Sequence, residues 1–138
     1  MLVDAGGEYG GYITDITRTW PVSGKFADAQ RDLYNMVLGV QRSCVSLCRE
    51  DAAMSLDKLH KVAEDSLKDG LKSLGIDTSG NVYLEDAGVW PLVSDHLQAT
   101  DILFPHHVGH FIGLDVHDAP GYPRTDKLLA NQCITIEP

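Results

Sequence analysis

The order of apolar and polar positions divides the chain into a hairpin, two helices and a set of later strands. In the first twenty residues, β-branched and aromatic side chains flank four glycines, which is typical of a β-hairpin. With the turn centred between Tyr9 and Gly10, Asp4 is predicted to lie directly opposite Asp15. The Cβ atoms of directly opposed residues are only about 5 Å apart.

Two segments carry the spacing of amphipathic helices. Residues 27–48 have a broad apolar stripe, and residues 55–74 have leucines and valines at intervals of three and four. Ser55 is expected to cap the second helix and Gly75 to end it. His60 is expected on the surface or flank of this helix and is assigned no role.

The last residues read as a short strand. Ile134 and Ile136 face one side of residues 133–137, while Glu137 falls on the other side, where a site can form. Residues 80–91 are rich in turn formers and are expected to form an exposed loop. A hairpin, two helices and later strands together predict the α+β class.

Composition narrows the function classes. The net charge is −9, with 20 acidic against 11 basic residues and no basic run, which argues against nucleic acid or an anionic membrane as a partner. A length of 138 residues fits about one domain, and a hydrophobic fraction of 43% is enough for a core. No apolar stretch has membrane-spanning length. Three cysteines provide no disulfide framework, and Cys44 and Cys48 are expected to pack in the core.

The two aspartates of the hairpin are the first candidates for chemistry. Two ionised carboxylates as close as Asp4 and Asp15 repel each other, and a divalent cation between them removes the conflict. The alternative is that both aspartates simply face solvent on an edge hairpin. Asp, Glu and His without thiolates suit Mn, Fe, Co or Zn acting on water.

The second candidate group is a histidine cluster. Residues 104–118 hold four of the six histidines, and such a density favours a site although a lone histidine is usually structural. His110 and His117 are seven residues apart, an odd offset that puts them on opposite faces of a straight strand. They share one site only if the chain bends, and Gly113 is the natural place for that bend.

These motifs together resemble a known family. The sequences of five stretches resemble the aminopeptidase P group of the pita-bread metallopeptidases, most closely the mitochondrial-type Xaa-Pro aminopeptidase. The stretches are 3–6, 14–26, 106–110, 114–118 and 134–138. The resemblance implies that residues 1–138 are part of a pita-bread catalytic domain.

The resemblance also implies a two-metal centre. Four residues would hold two divalent ions, with manganese as the expected metal and zinc or cobalt as alternatives: Asp4, Asp15, His110 and Glu137. Asp15 would bridge the two ions. Glu137 would also take a proton from a metal-bridging water that acts as the nucleophile. His117 would steady the scissile carbonyl or the tetrahedral intermediate, and His106 would support the site.

The expected reaction is release of an N-terminal residue that precedes proline in a peptide substrate. The family pattern needs a second bridging glutamate downstream of Glu137 and an upstream half of the catalytic domain. We therefore interpret the chain as a fragment lacking both, and expect it to be inactive alone. Two alternatives stay open: a prolidase-like Xaa-Pro dipeptidase and a non-catalytic pita-bread module. The resemblance implies a mitochondrial or cytoplasmic location.

Overall fold

The chain begins with a glycine-turned hairpin of four short strands. The structure, a computed structural model, describes residues 1–76 and 102–138, with the backbone of 81–82 and 97–98. Strands β1 (Leu2–Ala5) and β4 (Ile16–Thr19) pair antiparallel, and β2 (Glu8–Tyr9) pairs with β3 (Tyr12–Ile13). The two residues of the turn, Gly10 and Gly11, have φ of +62° and +86°. Both are left-handed, as a type I′ hairpin turn requires.

The register of this hairpin corrects the sequence prediction. Asp4 pairs with Thr17, so the prediction that it lies directly opposite Asp15 is wrong. The reason is the turn: two adjacent glycines both accept left-handed φ, which moves the turn centre one residue along and the pairing by two. Because the shift is even, Asp4 and Asp15 still lie on the same face, as diagonal neighbours.

The two predicted helices are confirmed. Helix α1 spans Asp28–Leu47 and α2 spans Leu56–Ser73, with a short 3-10 helix at Glu50–Ala52 between them. The Ser55 hydroxyl accepts the Lys58 N–H at 3.2 Å and caps α2. Gly75, with φ +78°, follows the end of α2.

The core lies where α1 and α2 pack together and meet the C-terminal segments. Cys44, Leu59 and Val108 are fully buried there. The other buried members of this cluster are Val40, Leu56, Ala63, Leu67 and Leu128. Burying a side chain such as Leu59 contributes about 1.5–3 kcal/mol relative to leaving it exposed. The core therefore joins the helices to the histidine-bearing segment.

Residues 108–112 and 133–137 run antiparallel beside each other. Three backbone N–H groups donate across them: Ile112 to Cys133, Thr135 to His110 and Glu137 to Val108. Phe111 and Ile134 form a β-bridge in the middle. Ile134 and Ile136 pack against the core, as their alternation predicted. We call residues 108–112 and 133–137 the paired segments.

The remaining elements complete an α+β fold. Strand β5 (Asn81–Val82) pairs antiparallel with β6 (Leu97–Gln98), and most of the loop predicted for residues 80–91 lies outside the described residues. Within residues 1–76 and 102–138, no helix is both long and apolar enough to cross a membrane.

Candidate metal centre

Three side chains from separate parts of the chain converge on one point. The His110 Nε2 atom lies 3.3 Å from Asp15 Oδ2 and 3.2 Å from Glu137 Oε1. One ligand atom from each of the three residues lies within 4.8 Å of the others. Asp15 precedes β4, whereas His110 and Glu137 belong to the paired segments. The side chains of Asp15, His110 and Glu137 are 11%, 16% and 32% exposed, so the point is partly shielded from water.

The hydrogen bonding of His110 defines what the three side chains can hold. Its Nδ1 lies 3.0 Å from the Phe111 carbonyl oxygen, which can only accept, so we assign the ring proton to Nδ1. Nε2 then presents a lone pair to two carboxylates. Glu137 Oε1 is buried and has no hydrogen-bond donor. Three hydrogen-bond acceptors that face one another can coordinate a divalent cation through their lone pairs. A histidine whose second ring nitrogen is fixed by a backbone carbonyl is typical of a metal ligand.

The electrostatics of Asp15 agree with a missing positive charge. Burial raises the pKa of its carboxyl above the ordinary value, and the negative charges of Glu137 and Asp4 raise it further, as does a hydrogen bond with Asp4. His110 acts in the opposite direction. Asp4 therefore lies beside Asp15, although it is exposed and outside the cluster of three ligand atoms.

His117 returns to the cluster through a bend in the chain. Its ring centroid lies 4.4 Å from that of His110, in an edge-to-face arrangement at 77°. Asp118 closes the bend, because its carboxylate accepts the Leu114 N–H at 3.0 Å and the Ala119 N–H at 2.7 Å. A Cβ on Gly113 would lie 2.4 Å from Asp118 Oδ2. The predicted bend at Gly113 is thus confirmed.

His106 is placed differently from the other histidines and from the carboxylates of the candidate site. Its ring is exposed, packs edge-on against Phe104 at 5.1 Å and contacts the His107 carbonyl at 3.0 Å. Among the described residues, its ring makes no hydrogen bond, ion pair or ring contact with Asp15, His110 or Glu137.

Two residues that support the candidate site were not predicted from the sequence. The Thr135 hydroxyl is buried and accepts the His110 N–H at 3.1 Å. The alternation of residues 133–137 already put Thr135 on the face of Glu137, which is the signal that could have identified it. His60 on α2 contacts the segment before His110, and its spacing along the helix gave no such signal.

The sequence of the whole chain, residues 1–138, matches the profile of metallopeptidase family M24. The chain belongs to this family. It is 46% identical over 138 residues to intermediate cleaving peptidase 55 of Saccharomyces cerevisiae, covering all of this chain and 24% of that protein. It is 40% identical to human Xaa-Pro aminopeptidase 3, covering all of this chain and 25% of that protein.

Solved structures of related proteins give the same result. Icp55 from Saccharomyces cerevisiae superposes with a TM-score of 0.81 and 47% identity, over 98% of this chain and 28% of that one. Zn-substituted Escherichia coli aminopeptidase P in complex with product superposes with a TM-score of 0.72 and 34% identity, over 98% and 28%. The α+β arrangement is therefore part of a pita-bread fold, and this chain spans about a quarter of its relatives' length.

Proposed function

We propose that this chain carries metal ligands of an Xaa-Pro aminopeptidase, which removes an N-terminal residue preceding proline. The observation that carries the proposal is the convergence of Asp15, His110 and Glu137, with the buried Glu137 Oε1 left without a hydrogen-bond partner. Human Xaa-Pro aminopeptidase 3 and Icp55, which has been solved bound to apstatin inhibitor, support the substrate class. A peptide with proline at its second position is the proposed partner.

The metal would be held by the hairpin and the paired segments together. His110 and Glu137 would hold one divalent ion, Asp4 would hold a second, and Asp15 would bridge the two. Mn is the proposed metal, since most of these ligands are oxygens, and Zn or Co can substitute. When bound, such ions lower the pKa of a water and polarise the scissile carbonyl. A second bridging glutamate is proposed to come from another part of a longer protein.

Each side chain then has a defined task. Glu137 is also the proposed general base, which would accept a proton from the attacking water on a carboxylate oxygen. His117 packs against His110 and is proposed to donate a hydrogen bond to the reacting carbonyl oxygen. The exposed His106 is proposed to have a supporting role in the site. A mitochondrial or cytoplasmic location is proposed from the relatives alone.

The test is calorimetric titration of Mn into the purified chain. We expect binding by the wild type and its loss in Asp15→Ala. Asp69→Ala is the matched control, because Asp69 is an exposed aspartate on α2 away from the cluster. Absence of Mn, Zn and Co binding by the wild type would overturn a metal centre held by this chain alone.

The activity is tested in a longer protein that contains this segment. We expect cleavage of Xaa-Pro peptides, no cleavage of matched Xaa-Ala peptides, and loss of activity in His110→Ala. Cleavage of Xaa-Pro dipeptides but not of longer peptides would instead identify a prolidase-like dipeptidase. Metal binding without cleavage of any of these substrates would favour a non-catalytic module.

A further inference from the structure

His60 reaches from α2 to the backbone that leads to the proposed metal ligand His110. The Val108 N–H donates to His60 Nδ1 at 3.3 Å, a contact between residues 48 positions apart. Within the described residues, His60 makes no hydrogen bond or ring contact with His110 or Glu137. His60 can therefore influence the centre through the backbone of Val108, or through His107, which stacks on His60 and whose Nδ1 lies 2.9 Å from the Gly109 carbonyl oxygen.

Val108 contacts both α2 and the second of the paired segments. Its side chain is fully buried in the core that α2 forms. Its N–H is held by His60, and its carbonyl oxygen accepts the Glu137 N–H at 2.6 Å. His110 follows two residues later. A shift of the Val108 backbone would therefore displace the segments that carry His110 and Glu137 together.

The ring of His60 is itself held in one orientation. It stacks on His107, with centroids 4.6 Å apart and an interplanar angle of 20°, and packs on Phe104 at 5.3 Å. Because Val108 donates to Nδ1, the ring proton of His60 lies on Nε2. Two aromatic contacts and one backbone hydrogen bond leave the ring little freedom to turn.

The surroundings of His60 keep its ring neutral, and a neutral ring can accept that hydrogen bond. Burial lowers the pKa of the imidazole, and the neighbouring His107 and His106 lower it further, while Glu64 and Asp57 raise it. The net direction is downward, so the neutral ring persists near neutral pH. Only a neutral ring with a free Nδ1 lone pair can accept the Val108 N–H.

We propose that His60 is a positioning residue of the metal centre. By accepting the Val108 N–H, His60 holds the backbone so that His110 and Glu137 meet at one point. The inference rests on the proposed function for the identity of the centre, but the contact itself does not. Residues behind metal ligands typically change metal affinity by about 10–100-fold when they are replaced. His60 is one step further away, so the lower end of that range, about tenfold, is expected.

Two variants separate the hydrogen bond from the packing of the ring. His60→Phe keeps an aromatic ring against His107 and Phe104 but removes the acceptor. His60→Asn keeps an acceptor oxygen near the position of Nδ1 but removes the ring. If His60 positions the centre, His60→Phe binds Mn about tenfold more weakly than the wild type, whereas His60→Asn keeps most of the wild-type affinity. A purely structural role predicts the reverse order, because His60→Asn loses more buried apolar surface.

Three measurements on the full chain are made for each variant: the Mn dissociation constant, the thermal midpoint, and hydrogen exchange of the Val108 amide. We expect His60→Phe to speed exchange at Val108 and His60→Asn to protect it. Mn affinity that follows the thermal midpoint across the variants overturns the proposal. So does faster Val108 exchange in His60→Phe with unchanged Mn affinity.

Failure of the proposed function is distinguishable from failure of this inference. If the wild-type chain binds no metal ion, the centre proposed above fails, while Val108 exchange still decides whether His60 holds the backbone. Faster exchange in His60→Phe supports the positioning contact. Unchanged exchange overturns it whatever the metal does.

Discussion

The hairpin and the paired segments both bring proposed metal ligands to the same point, but the two regions are held in different ways. The hairpin strands β1 and β4 are exposed along their whole length, and their shape follows from a glycine turn. The paired segments are anchored on the core by Val108, Ile134 and Ile136. The Ile13 N–H of the hairpin donates at 2.9 Å to the carbonyl oxygen of Gly113, the residue that directly follows residues 108–112 of the paired segments.

The His110 and Glu137 half of the proposed centre therefore depends on tertiary packing, and the Asp4 and Asp15 half depends on local backbone conformation. His110 and Glu137 are positioned by the same core that stabilises α1 and α2. Asp4 and Asp15 are positioned by glycines and a short ladder. Substitutions in the two regions should therefore differ in how stability and metal binding change together.

The largest effect is expected from Gly109→Ala in the paired segments. A Cβ at this position would lie 2.0 Å from the Thr135 carbonyl oxygen, which is backbone and cannot move aside alone. We expect a loss of unfolding free energy on the order of 3 kcal/mol, as for other overpacked sites, together with loss of Mn binding. Chemical denaturation and calorimetry measure the two effects. Gly39→Ala on α1, where nothing lies within 4 Å, is the control and should be neutral or stabilising.

Gly6→Ala tests the hairpin side of the comparison. The added Cβ would lie 1.7 Å from the Thr14 carbonyl oxygen, so the chain must move next to Asp15. We expect Mn binding to weaken at least tenfold, roughly the cost of a misplaced supporting group, while the thermal midpoint of the helices changes little. Gly7→Ala, with its nearest atom at 3.9 Å, is the matched control. Equal losses of helix stability in Gly6→Ala and Gly109→Ala would contradict the distinction between the two regions.

A smaller effect of opposite sign is expected for Asp15→Asn without metal. The pKa of Asp15 is raised by burial and by its acidic neighbours, so the ionised form disfavours folding at neutral pH. Removing the charge should stabilise the metal-free chain by about 0.2–1 kcal/mol, the scale of a like-charge pair across a sheet, and should abolish Mn binding. Denaturation of the metal-free protein measures the gain, with Asp69→Asn as the control. A less stable Asp15→Asn chain would show that Asp15 is not in electrostatic conflict with its neighbours.

The smallest expected effect is a pH dependence from His60. Its folded-state pKa is lowered from 6.5, so folding disfavours the protonated ring. The stability that the neutral ring contributes is therefore present above 6.5 and is lost as the pH falls below it. We expect wild type to lose stability relative to His60→Asn between pH of about 8 and about 5. Urea denaturation across this range measures the difference, and parallel curves for the two proteins would contradict the lowered pKa.

Local signals in the sequence were sufficient for much of this fold. The apolar period predicted both helices, and the Ser55 cap and the Gly75 stop gave the ends of α2, because helix formation depends on residues within a few positions of one another. The alternation of residues 133–137 placed Ile134 and Ile136 toward the core for the same reason. The hairpin register was also within reach, since two adjacent glycines are the preferred centre of a type I′ turn.

The candidate side chains could be identified from the sequence, because carboxylates and histidines suit divalent ions and stand in motifs typical of one metallopeptidase family. Which of these side chains meet depends on the packing of distant segments. Asp15, His110 and Glu137 converge, while the ring of His106, only four residues before His110, contacts Phe104 and the His107 carbonyl instead. The contact of His60 with Val108 left no trace in spacing, because a hydrogen bond between residues 48 positions apart depends on how α2 packs and not on any local pattern.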